Sequence, residues 1–135
     1  MASQIKVIGY HIDVFGHVNN ARYLEFYEME RWAWLDKNQL KEWMMQNKIA
    51  MVAVNINVNY RIGAILGDQL TISSSIQKIG QKSAICYQQI TRERNQTKEL
   101  VSDAAITFVF IDLITNKALS ITDKLRQILD LNDEN

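Results

Sequence analysis

Hydrophobic and polar positions change their period several times along this chain, and each change marks a new element. Over residues 5–10, Ile5 and Val7 fall on one face and Lys6, Ile8 and Tyr10 on the other, which predicts a short first strand. A polar, glycine-containing loop follows over 11–18. From there the period is helical: Asn19 or Asn20 can cap a helix running to Leu35 or Asp36. Tyr23, Phe26, Tyr27 and Trp34 share one side of it, while Leu24, Met29, Trp32, Ala33 and Leu35 cover much of the rest. A helix apolar nearly all round is expected to be buried on several sides, as the core helix of the molecule. A shorter helix over 39–46 puts Leu40, Trp43 and Met44 on one face.

The period then becomes two. In residues 51–60, Val52, Val54, Ile56, Val58 and Tyr60 share one greasy face, and Met51, Ala53, Asn55, Asn57 and Asn59 the other. Three more long strands are predicted over 69–78, 82–93 and 100–111, joined by turns at Ile79-Gly80-Gln81 and Arg94-Asn95-Gln96. A short pairing segment over 118–121 and a closing helix over 123–131, with Leu125, Ile128 and Leu129 on one face, complete the order; the acidic tail 132–135 is expected to fray. Helices first and meandering strands afterwards argue for an α+β fold, one curved antiparallel sheet around one apolar helix. The edges of such a sheet need cover, and homodimerisation supplies it.

Size and charge narrow the function classes. The 135 residues suit a single domain over 1–135, large enough to bury roughly two-thirds of its unfolded surface. Fifteen Lys+Arg against fifteen Asp+Glu leave no net field for nucleic acid or an anionic membrane. No apolar run approaches the roughly 20 residues a bilayer span needs, and the N-terminus does not read as a signal peptide. The single cysteine, Cys86, excludes an internal disulfide and a cysteine-rich zinc site, and reads as a small buried hydrophobe. A reducing cytoplasm is the simplest expectation.

Both histidines of the chain lie in one short segment, His11-Ile12-Asp13-Val14-Phe15-Gly16-His17-Val18-Asn19-Asn20, directly before the long helix. Three readings compete. Asp13 and the asparagines can be helix caps with the histidines on the surface. His11, Asp13 and His17 can form an open zinc site, although no further Cys or His is available to it and the spacing matches no helical zinc pair. Carbonyl chemistry is the third: a helix start presents unpaired N–H groups to an oxyanion, and Asp13 can attack a carbonyl or activate water beside it.

The run from Tyr10 to Glu28 resembles the D-x-x-G-H-V-N-N-x-x-Y-L-x-x-F/Y-E signature of the 4-hydroxybenzoyl-CoA thioesterase-like branch of the hotdog superfamily. Asn59-Tyr60 and Leu66-Gly67-Asp68-Gln69-Leu70 resemble that branch's Y…G-D-x-L segment. The resemblance implies a hotdog fold, active sites shared at a dimer interface, and hydrolysis of acyl-CoA without metal or organic cofactor. Within it, Asp13 matches the catalytic carboxylate, the Asn20 N–H the donor that polarises the thioester carbonyl, and His17 the motif histidine. Tyr23 matches a tyrosine of the acyl pocket; Phe15, Tyr60 and Arg61 complete the candidate substrate-binding set. Glu28 and Arg31 match common helix positions and read as a structural ion pair.

Two departures stand out. His11 occupies the position of a frequent second acid. Ile62, Gly63 and Ile65 replace residues that in relatives are commonly Arg, Pro and basic, leaving Arg61, Lys78, Lys82 and Arg92 as candidate contacts for CoA phosphates. Trp32, Trp34, Trp43, Met44 and Met45 offer adaptable surface for a fatty or aryl acyl group. The expected function is hydrolysis of acyl-CoA by a cytoplasmic homodimer or dimer of dimers. Acyl carrier protein as the alternative thioester carrier, a non-hydrolytic acyl-thioester binder and a hydratase or dehydratase on the same fold are the rivals.

Overall fold

A computed structural model describes residues 2–133, with side chains through residue 130. Strand β1 (Ala2–Lys6) leads through a 3-10 turn at Gly9–His11 to helices α1 (Asn20–Lys37) and α2 (Leu40–Gln46). Strands β2 (Ile49–Tyr60), β3 (Gln69–Ile79), β4 (Ser83–Arg94), β5 (Thr97–Asp112) and β6 (Lys117–Ala118) follow, and helix α3 (Asp123–Asp133) closes the order. The sheet runs β1-β3-β4-β5-β2, every pairing antiparallel, with β6 added to the end of β5. The fold is α+β, a curved antiparallel sheet against one long helix. Among the described residues no helix is long and apolar enough to cross a membrane. Helix α3 reaches Asp133, so the expected fraying of the tail is met there by helix, and residues 134–135 lie outside the described residues.

Helix α1 begins where Asn19 caps it, its side chain accepting from the Ala21 N–H at 2.9 Å. It buries Tyr23, Phe26, Tyr27, Glu30 and Trp34 against inward-facing Ile72, Ile90, Ile106 and Phe108. The opposite side, expected from its apolar residues to be buried in part as well, is not covered within one chain: Leu24, Met29 and Trp32 are 38%, 37% and 50% exposed. A single sheet covers only one side of a helix. Under α1 runs a polar seam in which each group is paired. Glu30, fully buried, accepts from Ser3 Oγ and Ser74 Oγ. Tyr27 donates to Ser102 Oγ at 2.7 Å, and Ser102 in turn to the Asn59 carbonyl. Arg31 donates to Gln88 Oε1 at 3.0 Å rather than forming the expected ion pair with Glu28. Cys86 is buried on β4.

Three local features differ from the periodic pattern. The first strand lies at 2–6 instead of 5–10, because β3 starts at Gln69, opposite Lys6, and leaves residues 8–10 without a ladder partner. The chain curls there instead, and the Ile8 N–H finds His11 Nδ1 at 3.0 Å. Strand β5 starts at Thr97, three residues before the expected 100, because Asn95 and Gln96, at φ 53° and 63°, form a two-residue hairpin turn. In β2 a bulge at Val54 breaks the single greasy face: Ala53 pairs with Phe108 but Asn55 with Thr107. Met51 and Ala53 face the helix before the bulge, and Ile56, Val58 and Tyr60 after it, so Val52 is turned outward.

Candidate active site

Residues 12–18 fold into a miniature hairpin. Ile12 bridges Val18, the Asp13 N–H donates to the His17 carbonyl at 2.9 Å, and Gly16 supplies the positive φ of 84° that closes the turn. The Asp13 carboxylate is held at one oxygen only. Oδ1 accepts from the Phe15 N–H at 2.9 Å, while Oδ2 has no partner among the described residues. His11 is carried away from Asp13: it is 8% exposed, packs edge-on against Phe26, and spends its Nδ1 lone pair on Ile8. Among the described residues no three His, Cys, Asp or Glu side chains gather around a point a metal could occupy.

The start of α1 lies beside this hairpin. With Asn19 capping Ala21, the Asn20 N–H is left without a partner among the described residues. Tyr60, on the helix-facing side of β2, donates from its hydroxyl to the Asn20 carbonyl at 3.2 Å and so ties β2 to the first turn of the helix. The segment after β2 is strapped to the motif from two sides. Val18 N–H donates to the Ala64 carbonyl at 2.9 Å, and Ala64 N–H to the Tyr23 hydroxyl at 3.2 Å. Burial raises the pKa of Tyr23 above its ordinary value, so at neutral pH it is a phenol, an acceptor and donor rather than a base. Gly63 touches the His17 ring so closely that a Cβ there would lie 2.4 Å from Cδ2.

One cleft of about 300 Å³ results, lined by Asp13, Phe15, His17, Asn20, Tyr23, Tyr60 and Arg61 together with Val18, Ile62 and Gly63. The seven residues singled out from sequence therefore share one cavity, although Asn20 and Tyr60 are forty positions apart. Phe15, 82% exposed, forms its outer rim. Arg61 lies at the rim with its guanidinium on Asp103, at 3.0 Å and 3.3 Å from the two oxygens, and Asn59 holds the same carboxylate at 2.9 Å.

The basic candidates for CoA phosphates divide. Arg92 is not available: it is 7% exposed and bonded to Asp68, Glu99 and the Gly63 carbonyl. Lys78 and Lys82 sit at the β3–β4 turn, at the sheet end opposite the cleft. That leaves Arg61 of the four beside the cavity. Arg92 and its carboxylate partners are what sequence reading missed; the Gly67-Asp68 pair was the available signal, but its partner on β4 lies 24 residues away.

A second, larger cavity of about 470 Å³ opens at the far end of α1, between α1, α2 and the first half of β2. Trp32, Met44, Met45, Met51 and Phe108 make its wall predominantly apolar, with Glu28 and Arg31 at its side. Burial lowers the pKa of Arg31, and the nearby Glu28 charge works against that shift. Trp34 and Trp43, also expected to offer acyl surface, lie elsewhere: Trp34 is buried toward β3 and β4, and Trp43 faces α3.

Comparison with known proteins places this geometry. The family described as the thioesterase-like superfamily matches residues 8–129. Over 130 residues the chain is 52% identical to the long-chain acyl-CoA thioesterase FadM of Escherichia coli (strain K12), covering 96% of this chain and 97% of that protein. The crystal structure of YbaW, a probable thioesterase from Escherichia coli, superposes with a TM-score of 0.89 at 52% identity and 98% coverage of both chains. A mutant 4-hydroxybenzoyl-CoA thioesterase in complex with 4-hydroxybenzoyl-CoA shares the fold at a TM-score of 0.88 and 18% identity, over 96% of this chain and 97% of that one.

Proposed function

The chain belongs to the thioesterase-like superfamily, and from that premise we propose that it hydrolyses long-chain acyl-CoA to free acid and CoA in the cleft at the start of α1. One observation carries the reading: a carboxylate with an unengaged oxygen and a helix N-terminus with an unengaged N–H line the same 300 Å³ cavity. The thioester carbonyl oxygen lies toward the Asn20 N–H, where the dipole of the 18-residue helix also favours negative charge. Asp13 Oδ2 acts on the carbonyl carbon either directly as a nucleophile, giving an acyl-aspartyl anhydride that water then hydrolyses, or through a water that it deprotonates. The C–S bond breaks and CoA departs as thiolate, a good leaving group because its thiol pKa is about 8.5 by comparison with cysteine. Phe15, Tyr23 and Tyr60 flank the reacting group, and Arg61 meets the phosphates of CoA.

The acyl chain follows the seam between α1 and β2 toward the 470 Å³ cavity. Asn20 to Trp32 spans about 18 Å of helix at 1.5 Å per residue, with exposed Leu24 and Ile56 along the way, and only a long chain covers that length. FadM, the 52% identical relative, is named for long-chain acyl-CoA. The unpaired outer edge of β2 and the exposed side of α1 suit a second copy, so the working form is a cytoplasmic homodimer or dimer of dimers.

The test is release of free thiol from a panel of acyl-CoAs of increasing chain length, with acyl carrier protein thioesters alongside, for wild type and Asp13→Asn. Turnover that rises with chain length and collapses in the variant is expected. Tight binding of every thioester without turnover by the wild type would replace hydrolysis with a binding function. In a single turnover in ¹⁸O-water, label in the Asp13 carboxylate is the signature of the nucleophilic route, because it requires an acyl-aspartyl anhydride opened at the aspartyl carbon.

A further inference from the structure

We infer that Arg92 is a positioning residue for the cleft: by holding the Gly63 peptide it sets the placement of the His17 imidazole. The inference rests on the hydrolytic reading above for its effect on turnover, but its structural part stands without it.

Arg92 projects from β4 at the cleft end of the sheet, with Leu70 of β3 on one side and Glu99 of β5 on the other. Its side chain is 7% exposed, and its three bonds go to Gly63 and Asp68 in the 61–68 segment and to Glu99 on β5. Nη1 donates to Asp68 Oδ2 at 2.7 Å and to the Gly63 carbonyl at 3.1 Å, and Nε donates to Glu99 Oε1 at 3.2 Å. Asp68 in turn closes the segment from the inside, accepting from the Ile65 N–H at 3.0 Å and, at its other oxygen, from Arg94 at 3.1 Å. The segment between Tyr60 and Gln69 has no regular structure of its own; backbone bonds tie its two ends to Val101 and Val7, and the middle, around Gly63, is held by these side-chain bonds and the straps to Val18 and Tyr23.

His17 depends on that shape. Its ring makes no hydrogen bond among the described residues, and it is an exposed side chain at a loop tip. What it touches is Gly63, at a distance that admits no Cβ: an added methyl would sit 2.4 Å from Cδ2 and 3.1 Å from Nε2. A ring located by packing alone moves when the peptide it rests on moves. Arg92 therefore acts on the cleft at second hand, through one carbonyl, while standing outside it. A guanidinium suits this position better than an ammonium, because its fork reaches Asp68, Glu99 and Gly63 at once.

The chain has only two histidines, so ring ¹H–¹⁵N correlations give two sets of signals, assigned by His17→Gln, with His11 as the internal control. In Arg92→Gln the His17 signals are expected to shift while those of His11 stay in place, and kcat to fall about tenfold or more with KM little changed. Arg92→Lys, which keeps a cation beside Asp68 without the reach to Gly63, should restore folding stability more than it restores kcat. Gly63→Ala should shift His17 in the same way with the ion pairs intact. Unchanged His17 signals in Arg92→Gln overturn the inference; should that variant not fold, unchanged signals in Arg92→Lys do so. A wild type without turnover on any thioester sinks the hydrolytic reading, while the His17 spectra still decide whether Arg92 positions the ring.

Discussion

The two cavities at the ends of α1 are built on opposite principles. The cleft at the N-terminal end is smaller and mixes polar groups with aromatic and aliphatic ones, and most of its wall is placed by hydrogen bonds: Asp13 by the Phe15 amide, the helix start by Tyr60, the 61–68 segment by Arg92 and Tyr23. The cavity at the C-terminal end is larger, and its wall of Trp32, Met44, Met45 and Met51 is placed by packing alone. Directional bonds fix atoms to within a few tenths of an ångström, as bond-making at a carbonyl requires. Unbranched thioether side chains adjust to whatever shape is offered, which suits a long flexible chain. The difference says where tolerance should lie: on the proposed reading, a substitution at the first end is expected to alter rate, and one at the second to alter which substrate is preferred.

Asp13→Asn attacks that contrast hardest. The amide oxygen keeps the bond from the Phe15 N–H, so thermal stability should stay near wild type, while kcat falls by about 10²–10⁴-fold on every chain length. Thiol release and a melting curve on the same preparation check both halves. Next in size is Met51→Trp, which fills the larger cavity without touching the cleft. Its expected outcome is a loss of about tenfold or more on the longest acyl-CoAs with the shortest unaffected, within the 1–3 kcal/mol that hydrophobic pocket contacts supply. A uniform loss across the panel would show that the two ends are not separable. Tyr60→Phe removes the tie between β2 and the Asn20 carbonyl, and kcat should drop about three- to tenfold, as for one hydrogen bond of roughly 1 kcal/mol.

The smallest effect concerns pH. Burial alone would raise the Asp68 carboxyl, but the Ile65 N–H and the Arg92 and Arg94 guanidiniums outweigh it and hold its pKa below the ordinary value. A carboxylate depressed in the folded state contributes stability that is fully present above its unfolded pKa of about 3.9 and is lost as pH falls through the folded value. Melting temperature should therefore decline more steeply below about pH 4 in the wild type than in Asp68→Asn, which lacks the titrating group. Parallel slopes would remove Asp68 from the account.

Much of this was legible from residue order because it is local. The glycine-containing loop over 11–18, the Asn19 cap and the start of α1 follow one another directly in the chain, so they could be read together, although the closing of that loop into a hairpin was not. Tyr60 and Arg61 were legible as a likeness of pattern, not as neighbours of Asn20. Arg92 was read as a candidate contact for CoA phosphates, because an arginine on an alternating strand looks the same whether it is free to meet a ligand or bound to two carboxylates 24 positions before it and 7 after it. The greasy face of β2 was misread for a related reason. One bulged residue reverses inside and outside for everything after it, and composition does not mark where it falls.

Residue order by itself determined the elements, their succession, the α+β class and the segment proposed to carry the chemistry. Those follow from periodicity and capping, which act between residues a few positions apart. Only the tertiary structure decided that the seven candidate residues share one cavity, that Arg92 is an internal clamp, and that a second, adaptable cavity opens at the other end of α1. Those depend on which strands lie side by side and in what register, and register is a property of the packed sheet as a whole.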